Sequence, residues 1–180
     1  MKRRAMGVPV CLLLALAACG KLEDATPADV AMQLYVTLEV SGVQTVPDDR
    51  ARPGLQPYLS DSLYALLIAA RRARDAAAAS APSGAAPNAE GDPFSSLPEG
   101  RNRYAAKTTL RRGDTALVLM DFTYDAQKPA VSWSDTLVIT RQRGRHVVDD
   151  IRYGAGFEFA HQGTLRGMLR GMLRGMLQSR

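Results

Sequence analysis

Thr115-Ala116-Leu117-Val118-Leu119-Met120-Asp121-Phe122-Thr123-Tyr124 is the stretch that decides the fold. Ala116, Val118, Met120, Phe122 and Tyr124 occupy every second position, and a period of two sets them on one face of a strand. Working outward, the same alternation precedes it in Tyr104, Ala106, Thr108 and Leu110. It follows in Trp133, Leu137 and Ile139, and again in Val147, Ile151 and Tyr153. Arg111-Arg112-Gly113 and Gln142-Arg143-Gly144 each end on glycine, which suits three-residue hairpin loops whose last residue is left-handed. That register puts Arg141 against Arg145, Trp133 against Tyr153 and Ile139 against Val147. A two-residue loop would turn the fourth strand's apolar set to the opposite face.

Upstream the period changes. Thr26-Pro27-Ala28-Asp29 combines a capping hydroxyl, proline at the first helical position and an acid in the first turn, so a helix starts there. Val30, Leu34, Tyr35 and Leu38 form its apolar face, and Ser41-Gly42 ends it. Residues 46–57 are broken by Pro and Gly. A second start follows at Ser60-Asp61-Ser62, and Leu63, Leu66, Leu67 and Ala70 carry that helix through Arg71, Arg72 and Arg74 into alanines. Residues 79–98, rich in Ala, Pro, Ser and Gly, read as a flexible surface loop inside one domain, because neither flank alone holds enough apolar residues for a core. The expected class is α+β over 26–164: two N-terminal helices covering one face of a four-stranded antiparallel meander, with a short C-terminal helix after it.

The amino-terminal residues address the chain. Lys2, Arg3 and Arg4 precede an apolar run from Ala5 to Ala18, the pattern of a secretory signal peptide. The run is shorter than the ~20 apolar residues a bilayer-spanning helix needs. Leu16-Ala17-Ala18-Cys19 resembles the bacterial lipobox, which implies cleavage after residue 18, a diacylglycerol on the Cys19 sulfur and a tether over 19–25. Each buried lipid methylene contributes about 0.8 kcal/mol, so two or three chains anchor a protein durably. Gly20, not Asp, follows the cysteine, which resembles the outer-membrane sorting class and a periplasmic face.

Charge is best counted without the leader. Residues 19–180 carry 20 basic and 18 acidic side chains, and residues 19–164 carry 16 and 18. A nucleic-acid binder keeps a basic folded body, and this one is slightly acidic. Cys11 leaves with the leader and Cys19 is lipidated, so neither forms a disulfide. With His146 and His161 the only histidines, a zinc site lacks ligands, and no cofactor motif is present. The G-x-S-x-G elbow is absent. Gly154-Ala155-Gly156 opens a dinucleotide-type pattern, but Phe159 stands where the third glycine belongs.

Tyr58-Leu59-Ser60, Gly91-Asp92-Pro93-Phe94-Ser95-Ser96, Trp133-Ser134-Asp135 and Val148-Asp149-Asp150-Ile151-Arg152-Tyr153-Gly154 together resemble a domain-of-unknown-function family of small bacterial lipoproteins. The element order is similar to the cone-shaped fold of nuclear transport factor, cystatin-like and ketosteroid-isomerase-like proteins. The resemblance implies that fold and no agreed activity.

Asp135 and Asp149 each interrupt an apolar strand face, and the three-residue register sets them diagonally on one face, about 7 to 8 Å apart. Desolvation there would raise a carboxyl's pKa, which suits a general acid or base. The other reading gives them structural work, capping a helix end or pairing with Arg101 or Arg103. Tyr104, Trp133 and Tyr153 are the candidate ligand contacts on the concave face. The tail, residues 165–180, repeats Leu-Arg-Gly-Met, and glycine at every fourth position costs about 1 kcal/mol each, so a frayed helix without a specific role is expected. Its arginines exclude a spanning segment despite the G-x-x-x-G spacing, although a leucine stripe beside them suits anionic lipid or a partner groove.

Two function classes follow. One is a non-enzymatic binding module in the envelope, held to the membrane by its lipid and meeting an envelope protein or small ligand; an immunity or inhibitor protein against an envelope-targeted toxin is a concrete form. The other is a small lyase, isomerase or hydrolase using the cone pocket. A deep apolar cavity with Asp135 or Asp149 at its floor favours chemistry, whereas a filled cone favours partner binding.

Overall fold

Thr26 and Asp29 close the first helix's N-terminus on each other: the Asp29 N–H donates to the Thr26 hydroxyl at 3.2 Å, and the Thr26 N–H donates to the Asp29 carboxylate at 2.9 Å. The Thr26 hydroxyl, which donates to the same carboxylate at 2.7 Å, and the Thr26 N–H hold the Asp29 carboxyl below its ordinary value. The computed structural model describes residues 25–80, 91–126 and 128–178. The leader and the lipobox with Cys19 lie outside the described residues.

Helix α1 (Pro27–Val40) buries Val30, Leu34, Tyr35 and Leu38 completely and stops at Ser41, before Gly42 at φ +61°. The Pro/Gly-broken stretch after it is not all irregular. It forms a single turn, α2 (Arg52–Leu55), and a 3-10 turn (Gln56–Tyr58), each with proline at its start where no donor is needed. Leu59 then bridges Val148 in parallel, and the Ser60 N–H donates to the Val148 carbonyl at 2.8 Å. The Ser60 hydroxyl accepts from the Leu63 N–H at 3.1 Å and so caps α3 (Asp61–Ser80), which buries Leu63, Leu67 and Ala70.

Strands β1 (Arg103–Arg112), β2 (Thr115–Tyr124), β3 (Val131–Gln142) and β4 (Arg145–Arg152) form one antiparallel sheet in sequence order. The alternation in β2 and β3 is as expected: Ala116, Val118, Met120, Phe122, Trp133, Leu137 and Ile139 are all buried. Among the described residues the fold is thus α+β, a four-stranded antiparallel sheet with four α-helices.

Register departs from expectation at both hairpins. Arg112 faces Thr115 and Gln142 faces Arg145, so both loops have two residues. Arg143 and Gly144 at φ +53° and +82° make the second a tight turn matched to the strand twist. The shorter loop shifts β4 by one residue, and a bulge takes up the shift: Ile139 faces Val148 while Val138 faces Asp150, leaving Asp149 as the extra residue. Val148 and Ile151, rather than Val147 and Ile151, therefore reach the core cluster. Trp133 is not opposite Tyr153, since Thr136 already faces Arg152. Asp135 and Asp149 are consequently three to four positions apart along the sheet, not diagonal neighbours. A second bulge at Lys107 turns β1 over, so Thr108 and Leu110 leave the core side and Leu110 is 58% exposed.

Two more expectations are corrected. Within 79–98, residues 81–90 lie outside the described residues, but 91–98 is a core segment instead of a surface loop: Asp92, Phe94, Ser95, Ser96 and Leu97 are buried. Gly91, at φ +67°, lets it close, because a Cβ there would sit 2.3 Å from the Pro98 carbonyl oxygen, which accepts from the Asp92 N–H at 2.8 Å. The domain also does not end at residue 164. Helix α4 (Leu165–Gln178) buries Leu165 and Leu169 completely in the common core and packs Met172 against it.

Candidate functional site

Asp135 sits on the buried face of β3 with no exposed surface, and its carboxylate is fully engaged. One oxygen accepts from the Ser96 N–H at 2.9 Å and the Trp133 indole N–H at 3.2 Å; the other accepts from the Ser96 hydroxyl and the Gly154 N–H, the latter at 2.9 Å. Gly154 approaches so closely that a Cβ would lie 2.2 Å from the Ser134 carbonyl oxygen. The Ser96 oxygen also accepts from the Ala155 N–H at 3.3 Å. Asp135 thereby ties the 91–98 segment and the chain leaving β4 to the sheet. A general base must reach the proton it takes, and here both oxygens face donors of the fold.

Beside it lies a buried ion pair. Asp92 and Arg101 bond to each other with side chains 3% and 6% exposed, Asp92 also accepts from the Phe94 N–H at 2.9 Å, and the guanidinium carbon stands 4.4 Å from the centre of the Tyr35 ring. Burial pushes the Asp92 carboxyl above its usual range despite the opposing pull of Arg101. The Tyr35 hydroxyl donates to the Phe94 carbonyl at 3.0 Å and Tyr153 donates to the Pro93 carbonyl at 2.7 Å; burial pushes both phenols well up. His161 packs on Tyr153 with ring centres 5.5 Å apart, and burial lowers its pKa. Among the described residues, the Arg101 Nε and His161 Nε2 are buried without hydrogen-bond partners.

Asp149 belongs to a different cluster. As the bulge residue of β4 it accepts from the Ser60 hydroxyl at 2.6 Å and pairs with Arg166 of α4, whose guanidinium also reaches Ser62 at 2.7 Å. Neither aspartate pairs with Arg103, which holds Asp125 at 2.7 Å. Of the three aromatic candidates, Trp133 is a core residue stacked on Phe122 at 5.6 Å, and Tyr153 is turned to Pro93. Tyr104 does line an opening.

That opening, about 140 Å³, lies between the end of α1 and the start of β1, with Glu39, Gly42, Val43, Asp92, Arg101 and Tyr104 among its lining residues. Tyr104 donates to the Glu39 carboxylate at 2.7 Å, and its phenol is raised to about 12, by burial first and then by Glu39. Below it the buried face of the sheet is filled with rings: Tyr35 meets Tyr104 at 5.5 Å and Phe122 at 4.9 Å, and Trp133 meets Phe157 at 6.2 Å. A second groove, about 340 Å³, opens at the hairpin tips between Arg111, Asp114, Thr115, Arg141 and His146. Among the described residues no group of three or more His, Cys, Asp or Glu side chains is placed to hold a metal ion. No described helix is long and apolar enough to cross a membrane.

Sequence reasoning singled out Asp135, Asp149 and Tyr104, offered Arg101 as a partner for the two aspartates when it pairs with Asp92, and gave no role to Asp92, Ser96 or Arg166. The available signal was Gly91-Asp92-Pro93-Phe94-Ser95-Ser96, whose small polar residues look like a loop and serve instead as buried donors and acceptors. No known protein family, no curated protein and no solved structure matches the chain.

Proposed function

We propose that the chain is a lipid-anchored protein of the bacterial envelope, facing the periplasm from the outer membrane, whose domain binds a protein or small ligand and catalyses nothing. The domain is read as a cystatin-like cone, related to the small lipoproteins of unknown function that its motifs resemble. The lipobox ending in Cys19 supports the anchor. The observation that carries the binding reading is the saturated carboxylate of Asp135: four donors of the fold consume both oxygens, over a buried sheet face packed with rings. The place left for a partner is the opening beside Tyr104, where Glu39, Glu99 and Asp92 outnumber Arg101, a setting that favours a basic or hydroxyl-bearing group.

The test has two arms. Cys19→Ser is expected to leave the precursor uncut by the lipoprotein-specific peptidase and to abolish association that survives a high-salt wash; retention after the wash overturns the anchor. In solubilised envelopes, a partner captured by the wild type and by Asp149→Asn should be lost with Tyr104→Ala combined with Glu39→Gln. Equal capture by all three proteins overturns the assignment to this opening.

A further inference from the structure

The two hairpin tips lie at one end of the sheet and concentrate its basic charge. Arg111 and Arg112 precede the first tip, and Arg141, Arg143 and Arg145 surround the second. Arg111, Arg112, Arg141 and Arg143 are exposed. Among the described residues the acids at the tips are Asp114 and Asp61, and Asp61 is taken by Arg143. Arg111, Arg112, Arg141 and Arg145 form no ion pair among the described residues. Among the described residues the rest of the domain, α4 included, holds 13 basic and 13 acidic side chains, so the net positive charge is concentrated at this end.

The chain enters the domain at the same end. The His146 Nδ1 lies 2.9 Å from the carbonyl oxygen of Ala25, immediately before α1, and His146 faces Arg141 across the hairpin. Ala25 follows Cys19 by six positions, and even fully extended this stretch spans no more than about 20 to 22 Å. A lipid on Cys19 therefore holds the arginine-bearing end, and not the opposite end of the sheet, against the bilayer surface. Strands of 8 to 12 residues place the opposite end of the sheet roughly 30 Å away, beyond the ~8 to 10 Å over which a leaflet's charge is felt at physiological salt.

We infer that the hairpin end, through Arg111, Arg112, Arg141 and Arg145, docks on an anionic phospholipid surface, so that the lipid anchor and the arginines together fix the domain's orientation. The opening beside Tyr104, at the far end of α1 and at the start of β1, then points away from the membrane. The inference rests on the reading of Cys19 as lipidated. The two act together because one acyl anchor localises the protein without orienting it, whereas charge at one end supplies a torque toward the leaflet.

The experiment uses the full chain, expressed in a bacterium, purified from membranes as the processed protein and reconstituted on vesicles of phosphatidylcholine alone or with phosphatidylglycerol. Flotation with the neutral vesicles and the mass of the Cys19 peptide report the anchor. Amide exchange at residues 111–116 and 141–146 reports docking. Slower exchange in both segments on phosphatidylglycerol, abolished by high salt, is the expected result. At about fivefold per basic residue near such a surface, Arg111→Gln, Arg112→Gln and Arg141→Gln together should lower the docked-to-free ratio roughly a hundredfold. Exchange elsewhere should be unchanged, which shows that the variant is folded. Flotation on both vesicles with identical exchange overturns docking alone. Failure to float on neutral vesicles overturns the anchor, and docking with it.

Discussion

Leu169→Ala tests whether α4 is part of the domain. The side chain has no exposed surface, and truncating a fully buried leucine costs about 2 to 5 kcal/mol, the lower part of that range applying where a neighbouring helix end can settle into the gap. A cost of about 2 to 3 kcal/mol in a chain of this length corresponds to a fall in Tm of roughly 5 to 10 °C. Truncation after Thr164 should cost more, because Leu165 leaves as well and Asp149 loses its Arg166 partner. Gly171→Ala makes the opposite prediction. Nothing lies within 4 Å of a Cβ added there, so removing one interior glycine should stabilise by about 0.5 to 1 kcal/mol. Thermal melts of the purified chain followed by circular dichroism read all three. If Leu169→Ala and the truncation both leave Tm within about 2 °C, α4 contributes nothing to the core. A rise with Gly171→Ala alone would mean a helix that forms without packing.

Asp135→Asn should destabilise by about 2 to 4 kcal/mol, since whichever oxygen becomes the amide nitrogen then faces a backbone N–H, of Ser96 or of Gly154; an unchanged melt would refute the saturated carboxylate. Alkaline stability follows from Tyr35 and Tyr153, whose folded pKa values are raised above the ordinary 10.0. Their contribution is intact below pH 10 and declines as pH rises beyond it, because the unfolded chain loses those protons first, and Tyr35→Phe with Tyr153→Phe should shift the alkaline unfolding midpoint upward. An unmoved midpoint would show that these phenols do not govern it.

The elements were legible because their signals are local. Thr26-Pro27-Ala28-Asp29 caps α1 through groups three residues apart, and the period of two in β2 and β3 needs only one covered face. Register was not legible, because it depends on compensating irregularities. A two-residue loop at Arg143-Gly144 would by itself turn Ile151 outward; the bulge at Asp149 turns it back, and nothing in the order of residues announces that the two occur together. The same bulge decides the fate of both candidate acids. It moves Asp149 toward Ser60 and Arg166 and leaves Asp135 with Ser96 and Gly154, so one expected site becomes two structural clusters. Segment 91–98 was misread for a related reason: composition reports that its residues are small and polar, but not that a buried aspartate elsewhere requires their donors.

The tail shows how a repeat conceals a core face. Followed by leucine alone, a four-residue spacing drifts 40° per repeat and predicts a stripe that winds away from any fixed surface. Methionine belongs to the same repeat, however. At 100° per residue, Leu169 lies 40° from Leu165 on one side and Met172 lies 20° from it on the other, so the three form a stripe about 60° wide at the i, i+4, i+7 spacing of a packed helix. Leu165 and Leu169 are the fully buried pair, and Met172 completes the contact. The arginines start 100° away with Arg166, which explains how it reaches Asp149 at the edge of the interface, while Arg170 and Arg174 continue to drift outward and are exposed. The glycines weaken an isolated helix. They do not prevent one that two buried leucines and a paired arginine hold against the domain.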